Sequence, residues 1–554
     1  MAAVSAILVV ALGLRLWGLG WSLPWPLHPD ERTPVEQARR MVETGDLNPR
    51  YFLNPTVFAY LLAGELRVIG PLGSLAGPLA SDVPGSAHLL ARLNSALIGT
   101  ASVGLLYSIG ALVVGRGVGL LAALFLAFSF VHVRASHYGV NDVAAVGVLL
   151  VSLLFAVRLL KQPTLRWYVL AGLVGGLATS TKYSMGLFFA PIVVAHLLAQ
   201  REPGQRPWSR AALVALGLAG VASLAGYLIG TPYTLLDARR FWPDFLEQYG
   251  YGQGRWLGQP ADPVPWLYLT GLAQGFGALP LALAGLGLVT AFWRPSTEGR
   301  GPSRAVFAVL LAFPLAYLAF LLPKGIFFPR LTIPLVPFCA LLAAFGTVQL
   351  VQVLPKLGVV GRPGLVAAVL VAALAQPALN DVRHNRLLLQ TNTRVLATEW
   401  ALANLPPGSR VKAEFRSIVE QSTEGTPYPP NAPDLDVEYF EGRPQFDDTA
   451  NYARRGVRYF VTSSHAYERL LLDPPLKSQR ETGERYLDLH RDLDREAKLV
   501  ARFAPGYGGK SVPYSQDEIF SPFWNLDQYE RPGPTIQIYA LDRPRAADDD
   551  RRAR

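Results

Sequence analysis

Two carboxylates follow directly on the first apolar segment, in His28-Pro29-Asp30-Glu31-Arg32. Ile7 to Leu19 is apolar except for Arg15, and Trp17, Trp21 and Trp25 form the aromatic belt expected where a membrane helix leaves lipid. Asp30 and Glu31 therefore sit just outside a bilayer. The next helix has its own start signal, a capping box in Thr33-Pro34-Val35-Glu36, which leaves both acids without a local partner. A free carboxylate pair at a membrane surface suits acid/base work on a substrate that arrives from the membrane. The same acids would equally suit an ordinary solvated loop.

A second polar stretch, His132 to Asp142, contains His137, Tyr138 and Asp142. If a helix begins near Tyr138, the spacing of four puts Tyr138 and Asp142 on one face, where phenol and carboxylate can hydrogen-bond. An acid at membrane depth is costly unless it is used. The third polar break is Thr179-Ser180-Thr181-Lys182-Tyr183. Lys182, Arg134, Lys324 and Arg330 all fall on the side where positive charge is disfavoured, which points to anion binding, most simply a lipid phosphate. Snorkelling to headgroups accounts for such cations as well. Gln248 to Trp256 mixes glycines with aromatics, as a sugar-stacking lid or a plain flexible loop would.

These residues need helices to hold them. After the first span, a short amphipathic helix over 34–43 stops at Gly45, and Asn54-Pro55 opens an apolar run to about Leu72 that suits the interface. Apolar spans follow at roughly 88–113, 117–135, 139–160, 167–181, 184–200, 211–230, 264–293, 305–322, 328–351 and 363–379. Together they give about eleven crossings of bilayer length. Alternate connections carry the basic residues, among them Arg116, Lys161, Arg206 and Lys356, which keeps the N-terminus and those connections cytoplasmic. The acidic connections and the C-terminus then face outward.

The composition agrees: 51% of the 554 residues are hydrophobic and 17% charged, with a mean hydropathy of +0.25. A polytopic α-helical membrane protein is expected. The net charge of +10 is spread through short loops rather than gathered in one patch, which speaks against nucleic acid. The one cysteine, Cys339, rules out an intramolecular disulfide and a cysteine metal cluster. No HExxH or Walker A pattern occurs, and Asp-x-Asp appears only in the polar C-terminal part, as at Asp434 and Asp492. The sequence thus divides into a membrane domain over 1–380, an extracytoplasmic α/β domain over 381–543 and a disordered tail over 544–554. In the second domain a helix over 393–404 and strands over 410–415, 457–463 and 534–541 are expected, with a loop over 423–448.

The outer loop bearing Asp-Glu, the amphipathic helix, Asn-Pro before an apolar run, and Arg92-Leu93-Asn94-Ser95-Ala96 resemble the GT-C membrane glycosyltransferases. The likeness is to the protein O-mannosyltransferases and the lipid A aminoarabinose transferases. Ser136-His137-Tyr138 before Asp142, Thr181-Lys182-Tyr183, and Pro329-Arg330-Leu331 before Pro334 and Pro337 extend it over roughly residues 5 to 345. The resemblance implies sugar transfer from a polyprenyl-phosphate carrier on the outer face of a bacterial inner membrane, with membrane lipids around it. It implies Asp30 as the base, Glu31 and Asp142 as further acids at the site, and His137, Tyr138, Lys182, Tyr183, Lys324, Arg330 and Asn54 as substrate-binding residues. Asn54 departs from the lysine that aminoarabinose transferases carry before this proline. The acceptor and any divalent metal are left open. The alternative from another class is a lipid-linked sugar transporter, whose polar residues would gather at mid-membrane in repeated halves. Here the carboxylates collect at one face.

Overall fold

The computed structural model describes residues 2–81, 83–199, 206–250, 253–293, 304–353, 362–414, 417–418, 435–439, 447–472, 480–517 and 521–541. Each apolar stretch expected to cross is mostly helical among the described residues. Among the described residues, seven helices are long and apolar enough to cross a membrane, and eight if a bent pair counts as one span. The count of eleven is therefore not reached by that measure. Ala2–Leu16, Arg116–Ala127, Leu165–Thr179 and Tyr183–Leu198 are apolar but shorter. Conversely Val57–Leu79, expected in the interface, is long enough to cross, although its last part is 3-10 turns broken at Gly73 and Gly77.

Helices in lipid gain little from the hydrophobic effect against one another, so close backbone approach matters more. Leu165–Thr179 lies so near Arg210–Gly230 that a β-carbon on Gly176 would stand 2.0 Å from the Ser223 carbonyl oxygen. Gly287 and Gly346 play the same part between Ala278–Trp293 and Val336–Val353.

The bent pair is Val264–Gly275 and Ala278–Trp293, which turn by 114°. Such a break exposes backbone groups that water cannot reach. The helix Arg362–Leu388 supplies their partners: Gln376 donates to Ala273 O at 3.0 Å and accepts from Ala278 N at 2.9 Å, while Asn380 donates to Gln274 O at 3.3 Å.

The amphipathic helix runs Arg32–Thr44 and stops where expected, with Gly45 at φ 72° sending its N–H to Met41 O. The capping box does not form. The helix starts one residue before Thr33, and Glu36 is held instead by Arg32 at 2.5 Å.

The chain divides into two compact units, one of residues 1–20, 28–255 and 263–385, the other of 21–27, 256–262 and 386–554. The second unit holds a five-stranded sheet of β1 (Arg410–Ala413), β2 (Asp436–Tyr439), β3 (Tyr459–Ser463), β4 (Lys498–Phe503) and β5 (Ile536–Ala540). The order is β2-β1-β3-β5-β4, with β1 parallel to β2 and β3, and β5 antiparallel to β3 and β4. Val411, Val461, Ile536 and Ile538 meet Ala397 and Ala401 of the helix Thr393–Asn404 in the core on one face of the sheet. The β2 strand lies inside the stretch expected to be loop; most of that stretch and the tail lie outside the described residues.

Candidate functional site

Asp30 lies in a tight turn after the first helix, where its own N–H donates to His28 Nδ1 at 3.2 Å and Glu31 N donates to His28 O at 3.3 Å. The His28 ring packs against Tyr138, with centroids 4.4 Å apart. Opposite, Phe328 is extended and Pro329–Leu335 forms a 3-10 turn, with Pro329 and Pro334 both inside it. That turn presents Arg330, whose Nη1 lies 3.2 Å from Asp30 Oδ2 and whose guanidinium stands over the Phe328 ring at 4.7 Å. Asp30 keeps 50% of its side-chain surface exposed and Arg330 29%. This pair is open to a ligand.

Glu31 is the opposite case. Sequence left it without a partner, but it is fully buried and gripped bidentately by Arg92, Nε to Oε1 at 2.9 Å and Nη2 to Oε2 at 2.8 Å. Gly139 N also donates to Oε1 at 2.7 Å, and Arg92 Nη1 reaches Leu19 O at 3.2 Å. Desolvating a carboxylate demands such partners. Glu31 therefore anchors the turn while Asp30 faces outward.

The helix expected to start near Tyr138 is Asn141–Lys161, so Tyr138 precedes it and does not share a helix face with Asp142. Asp142 pairs with Lys182, at the break between Leu165–Thr179 and the turn Tyr183–Phe188. Asn141 Nδ2 donates to Thr181 O at 2.7 Å beside it. Nearby, the Tyr317 hydroxyl donates at 3.2 Å to Leu331 O, next to Arg330.

The other expected residues are placed as follows. His137 is fully buried with both ring nitrogens near carbonyls, Nδ1 to Val133 O at 2.9 Å and Nε2 to Trp17 O at 3.1 Å. It ties the end of the first helix to the polar stretch. Tyr183 donates to Phe52 O at 2.9 Å, and Asn54 is exposed. Lys324 lies against the rings of Tyr249 and Phe320 and donates to Tyr249 O at 3.3 Å. Gly254 N in turn donates to Lys324 O at 2.8 Å, so the glycine-rich stretch is pinned on both sides of residues 251–252, which lie outside the described set.

The loop after Gly45 is also pre-organised. Asn48 N and then Arg50 hold the Asp46 carboxyl below its ordinary range. Asn48 Nδ2 bonds Asp237 at 2.8 Å, and Asp244 accepts from Phe52 N at 2.8 Å. Among the described residues no three His, Cys, Asp or Glu side chains gather as a metal set.

Two features escaped the sequence reading. Arg92 was noted only as part of a motif, not as the partner of Glu31. The second is a buried polar group: Arg15 donates to Ala127 O at 3.3 Å and contacts His132 Nδ1 at 3.1 Å, and it faces the fully buried Asp381. Asn385 closes the group on Leu14 O at 2.7 Å. The spacing of Gln376, Asn380, Asp381, His384 and Asn385 along one face of an apolar helix was the available signal.

This architecture is the GT-C glycosyltransferase fold. Residues 70–227 match the family model described as dolichyl-phosphate-mannose-protein mannosyltransferase. The Archaeoglobus fulgidus oligosaccharyltransferase in its apo form aligns with a TM-score of 0.52 at 13% identity, over 94% of this chain and 76% of that one. The archaeal oligosaccharyltransferase AglB from Archaeoglobus fulgidus, in complex with an inhibitory peptide and a dolichol-phosphate, aligns with a TM-score of 0.51 at 13% identity, over 93% of this chain and 74% of that one. ArnT from Cupriavidus metallidurans in the apo state aligns with a TM-score of 0.51 at 17% identity, over 86% and 94%. No curated protein matches the chain in sequence.

Proposed function

We propose that this protein is a membrane glycosyltransferase that moves a sugar from a polyprenyl-phosphate carrier to an acceptor hydroxyl. The observation that carries the reading is the half-exposed Asp30 carboxylate held 3.2 Å from the Arg330 guanidinium. The matched family's description and the dolichol-phosphate bound by AglB support the same donor chemistry. Asp30 accepts the proton of the acceptor hydroxyl as the oxygen attacks the anomeric carbon. The bond from that carbon to the carrier's phosphate oxygen breaks, and its electron pair leaves with the phosphate. Arg330 receives the developing charge. Attack from the face opposite the leaving group inverts the anomeric centre. Lys182, anchored by Asp142, supplies a second cation near the site.

Donor binding tests the phosphate role. Arg330→Ala should weaken polyprenyl-phosphate binding by about 1.5–3 kcal/mol, the scale of a charge-assisted hydrogen bond. Arg330→Lys should recover only part, since lysine lacks the planar fork. Undiminished binding by purified Arg330→Ala would reduce this residue to a headgroup anchor.

The reading also fixes an orientation, with the N-terminus cytoplasmic, Asp30 outside and the second unit extracytoplasmic, as in a bacterial inner membrane enzyme. Cysteines at the exposed Glu247 and Arg455 should react with an impermeant thiol reagent in intact cells, and one at Arg206 should not. The reverse labelling pattern would invert the topology.

A further inference from the structure

The second unit carries a buried acid and an imidazole that the proposed transfer does not use. From β1 the chain goes to β2 on one side, then returns to β3 on the other, so the strand order reverses between β1 and β3. In open sheets, connections leaving two parallel strands in opposite directions open a crevice at the strands' carboxyl ends, and ligands bind there. Glu414 is the first residue past β1, and Ser463 is the last of β3. Glu414 Oε2 accepts from Ser463 N at 2.6 Å, and its Oε1 lies 2.6 Å from His490 Nε2 on the helix Arg480–Glu496.

Only one member of the pair reaches outward: the His490 side chain keeps 14% of its surface exposed and Glu414 1%. A carboxylate at Nε2 puts a proton there and leaves Nδ1 to bond a ligand. The Tyr467 ring lies 4.2 Å from the imidazole, and the Tyr486 ring meets it edge-on at 5.0 Å. Burial, and then the nearby Glu414 carboxylate, push the Tyr486 phenol well above its ordinary range, so it stays protonated and bonds Glu414. The Glu414 carboxylate behind the imidazole is an anionic partner, which disfavours a phosphate at this position. A polar nitrogen beside a half-buried aromatic ring suits a molecule with a hydroxyl edge and an apolar face.

The geometry points to a carbohydrate-binding site at the carboxyl ends of β1 and β3, taking a neutral sugar through His490 and Tyr467. The site is separate from the Asp30 chemistry and stands whether or not that reading holds. Full-length protein in detergent is titrated with methyl α-mannoside and with cellobiose, by calorimetry and by saturation-transfer NMR. At least one sugar should bind saturably, and Tyr467→Ala should weaken it at least ten-fold. His490→Ala should do the same, while Asp30→Asn leaves binding unchanged and lowers transfer. Because His490→Ala strips a partner from a buried acid, Tyr467→Ala at an unchanged melting temperature is the deciding variant, with Tyr467→Leu as its replacement if that fold is lost. No saturable binding by the wild-type protein, or equal binding by the Tyr467 variant, would make the pair an internal anchor only. Loss of binding in Asp30→Asn with retention in Tyr467→Ala would move the sugar to the other unit and overturn the site.

Discussion

Asp30→Asn should lower sugar transfer by about 100- to 10,000-fold, the usual contribution of a positioned general base, at wild-type abundance in the membrane. The amide is nearly isosteric but cannot accept the acceptor's proton. Its cost to the fold is small, because Asp30 is half exposed and its ion pair with Arg330 is open to solvent, where such pairs contribute little. The measurement is transfer per folded molecule, from purified protein and lipid-linked donor, with the melting temperature taken alongside. Wild-type turnover in Asp30→Asn would remove this carboxylate from the chemistry.

The neighbouring residue behaves differently. Glu31→Ala destabilises the protein by about 3–5 kcal/mol, because it strands the Arg92 guanidinium where water cannot reach it. Arg92→Ala has the same effect from the other side. Glu31→Gln falls between, since one oxygen can still accept from Gly139 N. The expected signature is low abundance and a lowered melting temperature, with the surviving folded fraction still active. Intact stability with lost turnover in Glu31→Gln would return Glu31 to the chemistry.

Adjacent acids thus separate into one that is open, the base in the proposed mechanism, and one that is buried and holds the turn, and the sequence showed no difference between them. What distinguishes Glu31 is Arg92, 61 residues on in the chain, and no local pattern reports a contact at that distance. The longer helices were legible because their apolar runs have a length set by the bilayer, whereas four apolar helices fall short of it and a count by runs overstated the crossings. The strands β1, β3 and β5 were legible because Val411, Phe460 and Ile538 belong to short apolar stretches bounded by turn residues. By contrast β2, Asp436–Tyr439, is rich in acidic residues and pairs only at the sheet edge, so it looked like loop. The pairing of Asp142 was missed for a related reason. A spacing of four suggested Tyr138, but the helix begins three residues later, and Lys182 arrives from another connection.

The amide contacts of the helix Arg362–Leu388 bear on how the protein is made. The break between Val264–Gly275 and Ala278–Trp293 receives its hydrogen bonds from residues about 100 positions later, at separations of 98, 103 and 106. The first helix receives one from 371 positions later, Asn385 to Leu14. A ribosome delivers these groups after the helices they bind. Until Gln376 and Asn380 emerge, the break must keep its carbonyls among lipid headgroups or water, or in the grip of the insertion machinery. Membrane insertion and folding are therefore separate stages here: most spans enter before the bend can close, and a chain cut short of residue 376 presents an open joint to quality-control proteases.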